Sequence, residues 1–470
     1  MACNPFKIVV PGALWLVLIS VACSGPSSPQ HETGSSVEPE AVAPGGDPGN
    51  ATTPGKWEEE VDNVVDEGSP ASDEAPGPGR WRPFRAESGD AALTEEQQQQ
   101  IEQLDAIGYL AGSMPAHETT GVVRHDATRA FQGLNFYMSG HAPAAMLMDM
   151  AGNVLHEWRR EFRSVWPKHR AKDTHLGAAH WRRAYLLENG DVLAIFEGLG
   201  VIKVDRDSRL IWANPCRAHH DLEVMPDGDI YVLARAARIV DYVDPNRPIL
   251  EDFVLVLDEH GKEKRRVSLL HAFEHSKYRA FWRKSGKRRG DIFHTNTLEV
   301  LDGRIAGRIP EFTAGNILTS MLNLDAIAVV DMDREQVVWA QRGKFRRQHD
   351  PQVLENGNLL LFDNRGLPGQ SRVLEFDPDD MSLVWSYQGT EAAPFYSRTC
   401  GVCQRLPNGN TLITETDNGR AFEVTPAGEI VWEFYNPERA GKQLEFIAAL
   451  FVVLRLPPDF PLDWLESRGP

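Results

Sequence analysis

Residues 404–432 read QRLPNGNTLITETDNGRAFEVTPAGEIVW, and the fold follows from how this stretch is punctuated. Asn408-Gly409 interrupts alternating apolar residues, a hairpin signal, because a tight turn needs a position that glycine occupies without strain. Thr425 then opens a second turn, and the strand after it ends on Trp432. The same two-part unit recurs back along the chain. The first turn returns as Asn356-Gly357, Asp302-Gly303, Asp227-Gly228 and Asn189-Gly190. The second returns as an acidic residue, a turn and a strand ending in tryptophan: Asp377 with Trp385, Asp331 with Trp339, Asp205 with Trp212, and Asp149 with Trp158. A unit at Asp258 has the turn without the tryptophan, and the first unit, near residues 131–158, lacks the Asn-Gly hairpin.

Trp339, Trp385 and Trp432 lie 46 and 47 residues apart. Units of roughly 40–50 residues carrying four short strands indicate propeller blades. Six units predict an all-β, six-bladed β-propeller over residues 121–460. A β-sandwich needs no such regular repeat, and the lack of long helical patterns between strands argues against an α/β fold. The apolar segment 446–456 is placed to close the ring by pairing with another blade.

Upstream of the repeats, Thr94-Glu-Glu-Gln97 is a capping box. Ile101, Leu104 and Ile107 follow at helical spacing and Gly108 is a stop, so residues 93–120 read as a short helix and a linker. Residues 23–92 are rich in Pro, Gly, Ser, Ala and Glu, a composition that cannot bury enough apolar surface to offset ordering and predicts a disordered tether. Residues 1–22 read as an export signal: Lys7 is the only early charge, and the apolar run 8–21 ends in Val21-Ala22-Cys23. This resembles a lipoprotein cleavage box with Cys23 as the lipidated residue, with departures at Ser20 and Pro11. It sets the expected location as the cell envelope, lipid-anchored and facing the periplasm, with the membrane reached through the lipid.

Charge and cysteine content narrow the chemistry. The net charge of −18 over 470 residues argues against nucleic acid, which needs clustered Lys and Arg. Cys400-Gly-Val-Cys403 has no second cysteine pair for a zinc site, and Gln404 stands where a c-type haem motif needs histidine. No metal is expected.

The hairpins can be aligned on the apolar residues before each turn. The position of His220 is then Arg182 in the second unit, Asn296 in the fourth, His349 in the fifth and Gly401 in the sixth. His294 lies two residues before Asn296 and shares its face of the strand. Equivalent positions near the start of an inner strand converge on a propeller axis, so these residues predict a polar cluster at the mouth of the central channel. His219 and Asp350 should face away: Asp350 reads as a structural acceptor, and His219 as a second-rank site residue, because bulges at strand starts change facing. The basic run 279–289 reads as a solvated insertion. Phe293, Phe395 and Tyr396 read equally as aryl-stacking or core residues.

An ordered series of motifs resembles the bacterial aryl-sulfate sulfotransferases. Gln348-His349-Asp350-Pro351 with Leu354-Glu-Asn-Gly-Asn358 and Leu361-Phe362-Asp363-Asn364 looks like the nucleophile strand. His219-His220-Asp221 is similar to an earlier strand, His294-Thr-Asn296 to a His-x-Asn element, and Gln404–Thr411 with Gly419–Glu423 to the last blade. The resemblance implies a six-bladed propeller that moves a sulfuryl group from a phenolic sulfate ester to a phenol through a sulfohistidine, without a nucleotide sulfate or other cofactor. It assigns His349 as nucleophile, His220 and His294 to proton transfer and Asn296 to the sulfuryl oxygens, and leaves a homodimer open. One position departs: where the family carries an arginine in a Ser-x-Arg pattern, this chain has Leu322 after Ser320-Met321. Arg182 and His219 are the candidate substrate contacts that remain. The competing reading is a catalytically silent propeller of the envelope that binds a ligand or partner at the same channel.

Overall fold

In a computed structural model of the chain, which describes residues 94–105, 114–169, 176–441 and 443–466, four of the five Asx-Gly pairs close hairpins. The glycine is left-handed in each, with φ between +84° and +90° at Gly190, Gly228, Gly357 and Gly409, a conformation that costs any side chain. The preceding Asx oxygen accepts the backbone N–H two residues on, for example Asn189 Oδ1 from Asp191 at 3.0 Å and Asn408 Oδ1 from Asn410 at 3.1 Å. Asp302-Gly303 differs. It opens a connection of residues 301–316 between the strands Thr295–Val300 and Ile317–Met321, in which Phe312 is buried against Trp339. The export signal, Cys23, the tether and Gly108 lie outside the described residues.

The chain forms a six-bladed β-propeller. Blade 1 takes its inner strand from late in the chain: Leu450–Arg455 pairs with Asn135–Ser139, followed by Ala144–Met148 and Val154–Arg159. Blade 2 holds Arg183–Leu186, Val192–Phe196, Gly200–Val204 and Leu210–Asn214. Blade 3 starts at Ala218–Val224 and continues through Ile230–Val240, Asp244–Leu257 and Glu263–Ser268. Blade 4 starts at Thr295–Val300, blade 5 at His349–Val353 and blade 6 at Val402–Arg405. An early strand, Gly121–His125, adds a fifth, outer strand to blade 6 by pairing with Ile430–Tyr435. The ring is therefore closed twice, by residues 446–456 as expected and by the strand at residue 121.

The second motif of each unit explains itself in the seams between blades. Its acidic residue or threonine caps the turn between the third and fourth strands; Asp205 Oδ1 accepts from Asp207 and Arg209, and Asp258 Oδ1 from His260 and Lys262. In five seams the carbonyl just after that cap accepts a hydrogen bond from the fourth strand of the preceding blade. Trp212 Nε1 donates to Glu259 O at 2.9 Å, Trp385 Nε1 to Pro426 O at 2.8 Å and Trp432 Nε1 to Met150 O at 3.0 Å. Where the unit at Asp258 lacks tryptophan, Arg265 donates to Met332 O instead, and in blade 1 His156 Nε2 bonds Arg206 O at 2.8 Å.

An inner seam runs round the channel. The first strand of a blade is an edge whose N–H groups need partners, and side chains of the preceding blade provide them. Asp221 accepts from Leu298 N, Glu223 from Val300 N, Thr297 from Asp350 N, Glu299 from Val353 N, Asp350 from Cys403 N and Gln404 from Arg455 N, all between 2.7 and 3.0 Å. Asp350 is thus the structural acceptor expected of it.

Around this ring, the helix Glu95–Asp105 begins with the capping box: Thr94 N donates to Gln97 Oε1 at 3.0 Å and Gln97 N to Thr94 Oγ1 at 3.2 Å. Ile101 is buried against Ala237 and Leu250 of blade 3. The basic run 279–289 is not simply a solvated loop. It contains the short helix Ala280–Arg283, whose Trp282 is buried and lies beneath the guanidinium groups of Arg283 and Arg288. Phe293 packs on Phe273, and Phe395 on Phe362, Tyr387 and Phe422, so both serve the core rather than an aryl ligand.

Candidate active site at the propeller axis

Irregular pairing at the starts of the inner strands aims the candidate residues. In blade 4, Thr295 pairs with Met321 and Thr297 with Ser320, so Asn296 is an extra residue. Blade 3 skips residues 219–221 and blade 5 skips 350–351 in the same way. Such bulges re-aim side chains; His220 and Asp350 lie within them, and both, like His294 and Cys400 just before the inner strands of blades 4 and 6, have φ of +52° to +54°, strain of the kind that clusters at functional sites. The result gathers every predicted ring position round one cavity: Arg182, His220, Asn296, His349 and Gly401 line it, with Val452 from blade 1 on its wall; Asp350, expected to face away, lines it too, because the bulge at residues 350–351 re-aims it. The cavity is narrow, about 20 Å³, room for roughly one water molecule. His294, expected at the same cavity, does not line it: its ring stands 5.2 Å from that of His220, and its side chain is 19% exposed. His219 does not line the cavity. It is fully buried behind His220, so the substrate contact expected of it is replaced by a contact with another histidine.

The tautomer of His349 is set by its neighbours. Nδ1 lies 2.7 Å from Asn364 Oδ1 and 3.2 Å from Arg347 O. The Asn364 amide nitrogen is committed to the carbonyls of Ser397 and Cys400, so its oxygen must face the ring. Nδ1 therefore carries the proton and Nε2 keeps its lone pair. Burial, chiefly, pushes the imidazole down to about 3, against the pull of Asn364, and keeps the ring neutral.

His220 meets His219 Nδ1 to Nδ1 at 2.9 Å. Its backbone N–H donates to Glu197 Oε2 at 3.1 Å, and its Nδ1 lies 3.8 Å from Glu197 Oε1. His294 is held by Asp291, with Nδ1 2.6 Å from Asp291 Oδ2. Asn296 donates to Gln348 O at 2.9 Å. Arg182 lies over the Phe451 ring, donates to Cys400 Sγ at 3.3 Å and stands 3.8 Å from Glu197. Leu322 is buried, and its N–H donates to His294 O at 3.2 Å, so an apolar side chain occupies the position where the resemblance expects a cation.

Glu197, His219 and His220 offer three donor atoms within 4.8 Å of one another. A dication there would compete with the guanidinium groups of Arg182 and Arg235, whose charges already hold the Glu197 carboxyl down against a larger upward push from burial. A wider concavity of about 1020 Å³ between blades 3 and 4 is bordered by Tyr231, Lys277, Glu311 and Arg334, and none of the candidate site residues lines it.

Three groups that orient the site were missed in the sequence. Asn364 stood inside a quoted motif, Asp363-Asn364, but only strand register shows that it reaches His349. Asp291 lies three residues before His294, a spacing that could have been read. Glu197 follows a strand end and carries no sequence signal.

The sequence model of the arylsulfotransferase (ASST) family matches residues 183–437, a span that includes His220, His294, Asn296 and His349. No curated protein matches the chain. Among solved structures, a protein of unknown function from Bacteroides caccae is 11% identical with a TM-score of 0.43, covering 69% of this chain and 99% of that one. The β-propeller domain of Myceliophteria thermophila Cps50 (Swd1) is 12% identical with a TM-score of 0.40, covering 73% and 98%. Virginiamycin B lyase from Staphylococcus aureus is 10% identical with a TM-score of 0.34, covering 58% and 83%. At these scores the structural likenesses carry no argument.

Proposed function

The chain belongs to the arylsulfotransferase family, and from that premise we propose that it moves a sulfuryl group from a phenolic sulfate ester to a phenol through a sulfohistidine on His349. The observation that carries the reading is the locked tautomer of His349. Nε2 attacks sulfur, the bond from sulfur to the phenolic oxygen breaks, and the phenoxide leaves with a proton from His220 or His294. Positive charge develops on the sulfated ring, where Asn364 Oδ1 and Arg347 O both accept from Nδ1 and stabilise it. The acceptor phenol then loses its proton to the same histidines and attacks sulfur, and the bond to Nε2 breaks. Asn296 gives one amide hydrogen to Gln348 O, which leaves the other for a sulfuryl oxygen. Arg182 takes the part of the cation that Leu322 cannot supply.

Two observations favour the second reading, a silent binding propeller: the apolar Leu322 and a cavity that admits about one water molecule. One experiment separates them. Protein mixed with a chromogenic aryl sulfate and quenched should carry a sulfuryl group on the peptide containing His349. Steady-state phenol release should require an acceptor phenol and should be absent from His349→Ala. Full turnover by that variant rejects the nucleophile, and no turnover by the wild type with any phenolic sulfate leaves the binding propeller.

A further inference from the structure

Behind His220 lies a buried set of groups that the steps above do not use. His219 is the first, wholly buried on the inner strand of blade 3. Asp252, on the third strand of that blade, faces it, with Oδ1 3.7 Å from His219 Nε2. The other oxygen of Asp252 accepts from Thr295 N at 2.9 Å. Arg235 is the cross-strand register partner of Asp252, and its guanidinium is packed against Gly198, where a Cβ would come within 2.3 Å of it.

Two neutral imidazoles that meet Nδ1 to Nδ1 at 2.9 Å cannot be the same tautomer, because one nitrogen must donate and the other accept. Only two arrangements satisfy the pair. In one, His220 carries its proton on Nδ1 and His219 on Nε2, which points at an ionised Asp252. In the other, His219 carries its proton on Nδ1, His220 on Nε2, and Asp252 holds the third proton. The second holds one proton more than the first: loss of the His220 Nε2 proton, with a concerted shift along the chain Asp252, His219, His220, converts the second into the first.

We infer that Asp252 and His219 form a proton relay behind His220, positioning residues that let its Nε2 give up and regain a proton without either imidazole becoming charged. The use of the relay rests on the sulfuryl-transfer reading, and its existence on the geometry of the three residues. In the first half-reaction the Nε2 proton of His220 goes to the departing phenoxide. The Nδ1 proton of His219 moves to His220 Nδ1, and the proton of Asp252 moves to His219 Nε2. The negative charge comes to rest on Asp252, beside Arg235 and the Thr295 N–H. The acceptor phenol reloads the chain in reverse, so protons balance over the cycle. The 3.7 Å gap must shorten for transfer, as catalytic hydrogen bonds do when a site fills.

The electrostatics agree. Burial, with Arg182 next, holds His220 well below its ordinary value, and burial, with Arg235 next, does the same for His219. An imidazolium here would add a cation to a buried site that already holds two guanidinium groups. Asp252 is pushed up to about 7, by burial first and by Asp291 second, with Thr295 and Arg235 opposing. The remaining charged or titratable groups facing the relay are Glu197, His294 and His349.

The test tracks imidazole nitrogens by NMR in histidine-labelled full-length protein as pH is varied. The expected result is a switch of His220 from Nε2–H to Nδ1–H, mirrored by His219, as Asp252 ionises, and no switch in Asp252→Asn. Tautomers that stay fixed across the range in the wild type overturn the relay, and this arm needs no turnover. With aryl sulfates of graded leaving-phenol pKa, Asp252→Asn should lose about 100-fold or more with the poorest leaving group and progressively less toward the best. An equal loss with every ester makes Asp252 merely structural and overturns its part. Absence of wild-type turnover with the tautomer switch intact counts against the transfer reading and leaves the relay standing.

Discussion

Arg182 and His349 carry the sharpest expectations at the scale of single residues. A charge-assisted contact to an anion is worth about 1.5–3 kcal/mol, so Arg182→Ala should lower kcat/KM for aryl sulfates by roughly 10- to 100-fold. Leu322→Arg in that background should restore part of the loss, and steady-state kinetics on the two variants checks both. His349, with its imidazole held at about 3, is neutral at every pH above that value, the form in which the proposed nucleophile attacks. The acid limb of kcat/KM should therefore not fall at the ordinary imidazole pKa near 6.5. Linkage carries the same sign: between about 3 and 6.5 the unfolded chain binds the proton and the folded one does not, so this group makes stability fall as pH falls through that window. His349→Ala should flatten the dependence, as denaturant unfolding at about pH 7.5 and about pH 4.5, on either side of the ordinary imidazole pKa, would show. The ring positions were legible because the turn glycine follows each by eight residues, or by seven at Asn296. Asn364, Asp252 and Glu197 were not, since register with a neighbouring strand, or a loop end, brings them in.

The elements show where a motif has one meaning and where it has two. Asp302-Gly303 has the same two residues as the true hairpin at Asp227-Gly228, yet it leads into a long connection; a dipeptide signals a turn and says nothing about the distance to the next strand. The missing tryptophan of the third blade was legible as a gap, and Arg265 fills it because the seam needs a donor aimed at one carbonyl, which a guanidinium also offers. Gly401 shows the reverse case, a ring position with no side chain for a physical reason. Its φ is +123°, and a Cβ there would come within 2.6 Å of the Phe362 ring, itself packed on Phe395. Gly401→Ala should therefore destabilise the protein by about 1–3 kcal/mol, measured by denaturant unfolding.

For the whole molecule, stability depends on closing the ring. Arg455 lies on the strand that completes blade 1, is 1% exposed, and bridges Glu423 of blade 6 at 3.1 Å and Asn135 of blade 1 at 2.7 Å. Removing one partner of a buried pair leaves the other charge uncompensated, which costs about 3–5 kcal/mol. Arg455→Leu should lower stability by that order, and calorimetry should show one cooperative transition shifted down rather than a split into blades. Closure by residues 446–456 was legible as an apolar segment without a unit of its own; the second closure by the strand at residue 121 was not, because that strand is five residues long and mostly exposed. Val452, on the same closing strand as Arg455, also forms part of the cavity wall. Of all the described strands that build blades it comes last in the chain, so a growing polypeptide holds His349, the proposed nucleophile, long before it holds a finished pocket. A polypeptide that lacks that strand leaves Asn135–Ser139 as an unpaired edge of blade 1 and the axial cavity open on the side that Val452 walls.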